Sequence, residues 1–409
     1  MKLTIFIDLL IHSILVKRNF LSLVLALLAV RSVAQTDTTE TKYNLSYGGK
    51  GWHLESSDGV NTMNFELRLQ FRYSYPFEQD PSTLESLSAN DQHILQIRRA
   101  RMKIGGTAFT TKLEYYMEYE LASANLLDFW AIYSFSDAFR LQVGQYKVRY
   151  NSARVISSGK QETAERSIIT KPFTVDRQIG LTIFGNLEGR GALNLSYWLG
   201  AFNGTGRGAY VDDDTKLMYQ TRLQWNVFGK EMKFAGSNLV KRDEWQGHFA
   251  GGYVYNVSQF TRFSQSGGGQ LEGYPEEGEF GQYRTQQYFV ESAFKKNGFS
   301  WLQEYHWKEI YDQVNTTTRV LKGGYAQLGT FPQTYFDAFP EPLEIAIRYA
   351  QYRPDSNLTL TEYEYTFVTN WFFSGHRNKL TAECSWLNVK QNGQDEDGLR
   401  IRVQWEVSF

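Results

Sequence analysis

This sequence of 409 residues has little of what many soluble and membrane proteins of its length are built on. It contains one cysteine, Cys384, so an intrachain disulfide and a cysteine-based metal site are both impossible. Its net charge is −1, so it lacks the basic excess that marks nucleic-acid-binding proteins. No apolar run reaches the roughly 18 residues that a membrane-spanning helix needs. These absences argue against a disulfide scaffold, a nucleic-acid partner and a helical membrane protein.

Aromatic residues are abundant instead. Tyr, Phe and Trp make up 16% of the chain, yet its mean hydropathy is only −0.44. This combination indicates a protein whose apolar residues cover one outer surface and whose interior is polar.

The segment 399–409 indicates how the two kinds of residue are arranged. Since side chains along a strand point alternately to opposite faces, its pattern predicts a β-strand with one apolar and one polar face. A half-buried strand of a soluble protein has the same pattern, so the rest of the chain must decide between the two. The apolar positions are Leu399, Ile401, Val403, Trp405, Val407 and Phe409, and all residues between them are polar.

The same alternation recurs in about sixteen segments, most of them near the roughly 10 residues that a tilted membrane strand needs. Tight turns such as Ser136-Asp137 separate some segments, and long polar connections such as residues 264–284 separate others. A sheet edge cannot stay open in lipid, so such a sheet must close on itself. The sequence therefore predicts an all-β fold, a transmembrane antiparallel β-barrel of about sixteen strands over residues 63–409. A secreted pair of β-sandwiches is the alternative.

The first 62 residues do not follow this pattern. Lys17 and Arg18 precede the apolar run 20–30, and small residues stand at positions 32–34. This order predicts a signal peptide over residues 1–34, with an uncleaved anchor or a later start as the alternatives. Residues 35–62, rich in Thr, Gly and Ser, are predicted to be a flexible lead-in.

A long polar insertion, residues 151–175, interrupts the strand pattern. Loops of this length are usually functional, so we predict that it folds inward and constricts the barrel. A plain surface loop is the alternative. The candidate constriction residues are Arg154, Lys160, Arg166 and Lys171.

Several short motifs resemble the phosphate-selective porin O and P family of Gram-negative outer membranes. Each motif is loose, and their order along the chain carries the resemblance. They are residues 98–106 (RRARMKIGG), 127–130 (LDFW), 141–147 (LQVGQYK), 165–166 (ER), 177–180 (RQIG), 200–206 (GAFNGTG), 343–349 (LEIAIRY) and the terminal strand.

The resemblance implies a trimer of sixteen-stranded barrels in the outer membrane. It also implies that the third long loop folds inward and that basic side chains line a path for anions. The terminal residue, Phe409, resembles the signal that the barrel assembly machinery of the outer membrane recognises.

The alternation places nine basic residues on the polar, inward face. Eight glutamates fall on the same face, so strict phosphate selectivity does not follow from the resemblance. The predicted pore-lining cations are Arg68, Arg72, Arg99, Arg101, Lys103, Arg222, Arg348, Arg400 and Arg402. The opposing acids are Glu66, Glu114, Glu118, Glu120, Glu362, Glu364, Glu383 and Glu406.

Three of these cations, Arg99, Arg101 and Lys103, follow one another on one strand about 6–7 Å apart. Such a ladder offers an anion successive weak sites in a water-filled lumen. Alternatively, the ladder pairs with the acids of the neighbouring strand and braces the wall. The sequence leaves both readings open.

The sequence therefore predicts a passive channel for small hydrophilic solutes, with a modest preference for anions such as phosphate. A plugged barrel with a surface-binding or structural role, or an outer-membrane hydrolase, are the alternatives. No Ser/His/Asp set stands out, and no metal or cofactor is predicted. The run Asp212-Asp213-Asp214 lacks the spacing of an EF-hand and is interpreted as a plain loop.

Overall fold

The computed structural model describes residues 42–49, 51–80, 84, 87, 91–189, 191–208, 216–265, 267–355 and 359–409. The predicted signal peptide and the run 212–214 lie outside the described residues. No helix in the described part of the chain is long and apolar enough to cross a membrane.

Strands make up most of the described chain. They are β1 (Tyr43–Gly48), β2 (Gly51–Ser56), β3 (Thr62–Tyr75), β4 (Ile94–Ala108), β5 (Thr110–Glu120), β6 (Asn125–Ser136), β7 (Phe139–Lys147), β8 (Arg177–Glu188), β9 (Asn194–Phe202), β10 (Met218–Trp225), β11 (Gln246–Ser258), β12 (Arg262–Gln265), β13 (Gly267–Gly269), β14 (Tyr283–Lys296), β15 (Phe299–Asp312), β16 (Thr317–Thr330), β17 (Leu343–Arg353), β18 (Thr361–Ser374), β19 (Asn378–Gln391) and β20 (Gln394–Ser408). The helices are short: α1 (Ser152–Val155), α2 (Thr170–Phe173) and the 3₁₀ turns Ser158–Lys160 and Pro332–Thr334.

Sixteen of these strands form one closed barrel. Strands β3 to β11 and β14 to β20 each pair antiparallel with the next strand of this series, and β20 pairs back with β3. The prediction of an antiparallel barrel of about sixteen strands is confirmed.

The two faces of the wall are inverted relative to a soluble protein. On β3, Arg72 is 0% exposed whereas its neighbour Phe71 is 41% exposed, and on β6 Phe129 is 62% exposed. A continuous belt of exposed apolar side chains costs free energy in water and is stabilised in lipid. The outer face of the barrel therefore contacts lipid, and its inner face carries the polar side chains.

Phe409 completes the closure. Its backbone N–H donates to the carbonyl of Leu67 at 2.9 Å, and the N–H of Leu67 donates to the carbonyl of Phe409 at 2.8 Å. The ladder continues from Ser408, opposite Arg68, to Ile401, opposite Tyr75. Ser408 and Phe409 therefore help to form the backbone hydrogen bonds that an open sheet edge would leave unmade in lipid.

Residues 43–56 differ from the flexible lead-in expected for this region. They form the hairpin β1–β2, which pairs with the start of β3 through Trp52 opposite Phe65 and Leu54 opposite Met63. Strand β1 alternates in sequence between the apolar Tyr43, Leu45 and Tyr47 and smaller polar residues, but all six of its residues are exposed. The hairpin extends the wall at the rim where Phe409 lies.

Deletion of Phe409 is expected to reduce the yield of folded barrel, because two hydrogen bonds of the closing ladder are lost. The measurement is the fraction of heat-modifiable protein in membranes by gel electrophoresis. Phe409→Tyr, which keeps the backbone bonds and an aromatic ring, is the control. A normal folded fraction for the deletion would contradict the prediction.

Candidate functional site

The segment between β7 and β8, residues 148–176, is hydrogen-bonded to side chains of the inner face, and we call it the lumen loop. Lys379 Nζ donates to the carbonyl of Gln161 at 2.6 Å, and Asn370 Nδ2 donates to the carbonyl of Glu162 at 2.7 Å. Arg68 donates to Ser158 Oγ at 2.8 Å. Since these partners sit on β3, β18 and β19, the lumen loop crosses to the far wall.

Two buried glutamates of the wall hold the beginning of the lumen loop. Glu304 accepts from the backbone N–H of Ala153 at 2.7 Å and from Asn151 Nδ2 at 2.8 Å. Glu291 accepts from the backbone N–H of Ser152 at 2.9 Å and from its Oγ at 2.6 Å. These carboxylates bind the backbone groups that the helix α1 leaves free at its start.

Apolar side chains fix the end of the lumen loop. Ile169 and Phe173 are fully buried and belong to one cluster with Tyr325, Ala350 and Tyr352 of the inner face. Burial of this apolar surface stabilises the loop in addition to its hydrogen bonds. Both halves of the loop are therefore held against the wall.

Glu165 is the main ionic anchor of the loop. Its carboxylate lies 3.0 Å from Arg98, 3.0 Å from Arg99 and 3.3 Å from Arg72. Burial opposes ionisation, but the guanidinium groups of Arg99, Arg98 and Arg72 outweigh it and hold the pKa of Glu165 well below its usual value. Glu165 thus stays ionised at physiological pH.

Eight of the nine predicted pore-lining cations are buried, and Lys103 is half-buried. Most are paired with carboxylates, so their charges are largely compensated inside the wall. The pairs are Arg72 with Glu78 at 2.5 Å, Arg222 with Glu291 at 2.6 Å, Arg348 with Glu364 at 2.5 Å, Arg400 with Asp80 at 2.7 Å and Arg402 with Glu383 at 3.2 Å. Their role in conduction stays a prediction.

The ladder on β4 is also paired. Arg101 lies 2.5 Å from Glu118 and 2.8 Å from Glu120 on β5, while Lys103 lies 2.5 Å from Glu66 on β3. Arg99 pairs with the lumen loop itself. The geometry therefore favours the bracing reading for Arg99 and Arg101.

The four predicted constriction residues divide into two kinds. Arg166 donates to the carbonyls of Ala153 and Ile156, each at 2.7 Å, and Arg154 pairs with Asp176. Lys160 and Lys171 are exposed. The arginines thus brace the loop internally, whereas the lysines point their charges to solvent.

A second segment enters the lumen from the opposite rim. The connection between β10 and β11, residues 226–245, leaves the wall at the rim of Phe409. The N–H of Gly236 donates to the carbonyl of Lys160 in the lumen loop at 2.8 Å. Lys295 Nζ donates to the carbonyl of Ala235 at 2.7 Å, and Ser237 Oγ donates to Glu344 at 2.8 Å. We call it the rim segment.

A cavity of about 520 Å³ lies between the lumen loop, the rim segment and the inner face of β4 to β9. Among the described residues, Lys147, Arg149 and Lys233 line it with no hydrogen bond or ion pair to their charged groups. Two carboxylates that line it are compensated, Glu118 by Arg101 and Asp128 by Arg177 at 2.6 Å. Glu114 and Glu231 line it without an ion pair in the described chain.

Sequence reasoning missed Lys147 and Arg149 for a geometric reason. Strict alternation places Lys147 on the lipid face together with Val143. Gly144 has φ +124, and the residues after it no longer alternate between exposed and buried side chains. A glycine inside a strand pattern, which often marks a bulge, was the available signal.

The fold and the charged lumen define an outer-membrane diffusion channel. A model of the phosphate-selective porin O and P family matches residues 63–409. The chain belongs to this family, as its motifs had indicated, and its location is the outer membrane of a Gram-negative bacterium. No curated protein sequence matched the chain.

Solved outer-membrane proteins share the architecture at low sequence identity. The anion-selective porin from Comamonas acidovorans is 9% identical with a TM-score of 0.55, over 85% of this chain and 99% of that chain. A loop-deletion mutant of OmpT from Vibrio cholerae is 10% identical with a TM-score of 0.53, over 85% and 99%. DcaP of Acinetobacter baumannii is 11% identical with a TM-score of 0.52, over 87% and 99%. At these identities the likeness establishes the fold.

Glu165→Gln is expected to lower the free energy of unfolding by on the order of 3 kcal/mol, because it leaves three guanidinium groups without their shared carboxylate. A lowered folded-state pKa means that the stabilisation by Glu165 is complete above the unfolded pKa of about 4.3 and is lost as pH falls through the lower folded value. The difference between wild type and variant should therefore be constant from about pH 8 to pH 5 and shrink below that.

Urea titration of the barrel in lipid vesicles at several pH values measures this difference. Asp58→Asn, which removes a carboxyl in an exposed turn near β2, is the matched control. Equal stability of wild type and Glu165→Gln at pH 7 would contradict the anchoring role.

Proposed function

We propose that this barrel is a passive diffusion channel for small hydrophilic solutes with a modest preference for anions such as phosphate. The proposal is carried by the charge imbalance of the cavity. The carboxylates Glu118 and Asp128 are compensated by buried guanidinium groups. Three cations of the lining, Lys147, Arg149 and Lys233, make no ion pair in the described chain, against two such carboxylates, Glu114 and Glu231. An anion in the cavity therefore meets uncompensated positive charge.

The arrangement also supports selection by size. The lumen loop and the rim segment occupy the side of the barrel that carries β14 to β20, and the remaining cavity lies along β4 to β9. Solutes pass only through the part that the two segments leave free. The unpaired cations of the cavity offer an anion weak binding sites, and weak sites allow an ion both to enter and to leave.

Two other functions compete with the channel. A barrel plugged by the lumen loop and the rim segment would serve surface binding or structure, and an outer-membrane hydrolase would need a catalytic set. No group of three or more His, Cys, Asp or Glu residues in the described parts could hold a metal ion. Single-channel recording in a planar bilayer separates these functions, since a barrel without conductance would contradict the channel.

Assembly is the part of the proposal that rests on family resemblance. We propose a homotrimer whose insertion depends on recognition of Phe409 by the barrel assembly machinery, after export directed by residues 1–34. Chemical cross-linking in native membranes tests the trimer, and monomers alone would contradict it.

Lys147→Met combined with Arg149→Met is expected to shift the reversal potential towards cations, because Glu114 and Glu231 then face the cavity with Lys233 as the one unpaired cation left in the described lining. One unit charge at about 4 Å contributes about 1 kcal/mol in water, so the anion-to-cation permeability ratio should fall roughly fivefold or more. The reversal potential in a potassium chloride gradient measures this ratio.

Lys322→Met, which removes an exposed lysine on β16 away from the cavity, is the matched control and should leave the ratio unchanged. A cation-selective wild-type channel would contradict the proposed anion preference. An anion preference that survives the loss of both Lys147 and Arg149 would assign it to other residues.

Arg101→Ala combined with Lys103→Ala should also lower the anion preference while the barrel still folds. The reason is that Glu66 and Glu120 lose their cationic partners while Glu118 keeps only Arg177 at 3.8 Å, so these carboxylates present negative charge to the lumen. The measurement is again the reversal potential, with heat modifiability as the check on folding. An unchanged potential would mean that the ladder only braces the wall.

A further inference from the structure

The cavity beside the lumen loop is aromatic as well as cationic. Six rings line it, which is more than the passage of hydrated inorganic ions requires. They are Tyr116, Trp130, Tyr146, Phe184, Trp198 and Phe234. Aromatic faces in a water-filled passage expose apolar surface that a flat solute can cover.

Three of these rings are half-buried and accessible from the cavity: Tyr116, Trp130 and Phe234. Tyr116 and Trp130 stack on each other with centroids 5.3 Å apart and planes at 27°. Phe234, from the rim segment, lies 6.1 Å from Trp198 of β9. The wall thus contributes one aromatic pair to the cavity, and a second pair forms between the wall and the rim segment.

Cationic side chains adjoin one of these rings, Phe184. The guanidinium of Arg149 lies over the Phe184 ring at 5.4 Å from its centroid, and that of Arg140 lies over the same ring at 5.9 Å. Lys147 lines the cavity as well. A ligand that spans these groups needs a negative charge joined directly to a flat ring.

Two buried polar groups in the lining are also without partners. Trp198 Nε1 and Gln142 Oε1 have no hydrogen-bond partner in the described chain, although both residues are 2% exposed. Both residues line the cavity. They offer one donor and one acceptor to a bound solute, as expected where a few polar groups orient a ligand in a largely aromatic pocket.

We propose that the cavity is a binding site for aromatic carboxylates, with Lys147 and Arg149 holding the carboxylate and Trp130 and Tyr116 covering the ring. The site rests on the proposed function as a channel and specifies the solutes that it favours. Phosphate would use the cations and leave the rings uncovered. A neutral sugar would cover the rings and leave the cations uncompensated. The volume of about 520 Å³ is within the range of small-molecule sites.

Three carboxylates of equal charge test the site: benzoate, cyclohexanecarboxylate and acetate. Each is added to the bath while the chloride current through single channels is recorded. We expect benzoate to reduce the current by half at a concentration roughly tenfold lower than acetate does. Cyclohexanecarboxylate, with a ring of similar size but no aromatic face, should lie between them.

Trp130→Leu and Tyr116→Leu are each expected to remove the advantage of benzoate over cyclohexanecarboxylate. Trp371→Leu, which changes an outward-facing tryptophan on β18, is the matched control and should keep that advantage. Heat modifiability verifies that each variant folds, and the two cavity variants make the test independent of a single folding failure.

The outcomes separate this site from the channel itself. A barrel without chloride current would overturn the channel and the site together. Anion-selective current with equal blocking by all three carboxylates would overturn only the aromatic site. Blocking by benzoate that Trp130→Leu and Tyr116→Leu leave unchanged would likewise overturn the assignment of these rings.

Discussion

Closure of the backbone hydrogen-bond ladder between β20 and β3 is the constraint on which the rest of the structure depends. Lipid offers no partner to an open edge, so the sheet must return to its first strand. Two backbone hydrogen bonds between Phe409 and Leu67 take part in this closure. Once the sheet is closed, each strand has one face in lipid and one face in a confined lumen, which explains the inverted burial of Phe71 and Arg72.

Inside that confined space, charges must be compensated or solvated. Carboxylates of the wall hold the lumen loop, and arginines of the wall hold its Glu165. The inward cations on β3, β4 and β16 to β20 are therefore mostly held in ion pairs with carboxylates of the wall and the loops. Positive charge that remains for solutes lies on the other side, at Lys147, Arg149 and Lys233, which line the open cavity.

Much of the fold could be predicted because one period governs it. Alternation along segments such as 399–409 predicted sixteen strands, their inward faces and the closed sheet, and the structure confirms the barrel. The candidate site was harder. Arg72, Arg348 and Arg400 do point inward, yet parity cannot tell a pore-lining cation from one buried behind a loop. The local sequence also gave too weak a signal to predict that residues 226–245 enter the lumen or that the alternation of β7 breaks at Gly144.

The sequence by itself determined which residues face lipid and which face the lumen wherever the strand alternation is unbroken, because side-chain direction along such a strand depends only on position. It also determined the family, through the order of short motifs that the match over residues 63–409 bears out. Only the tertiary structure decided which inward charges are neutralised and where the open cavity lies. Those depend on contacts between segments far apart in the chain, such as Glu165 with Arg99 and Gly236 with Lys160. No local pattern encodes such contacts.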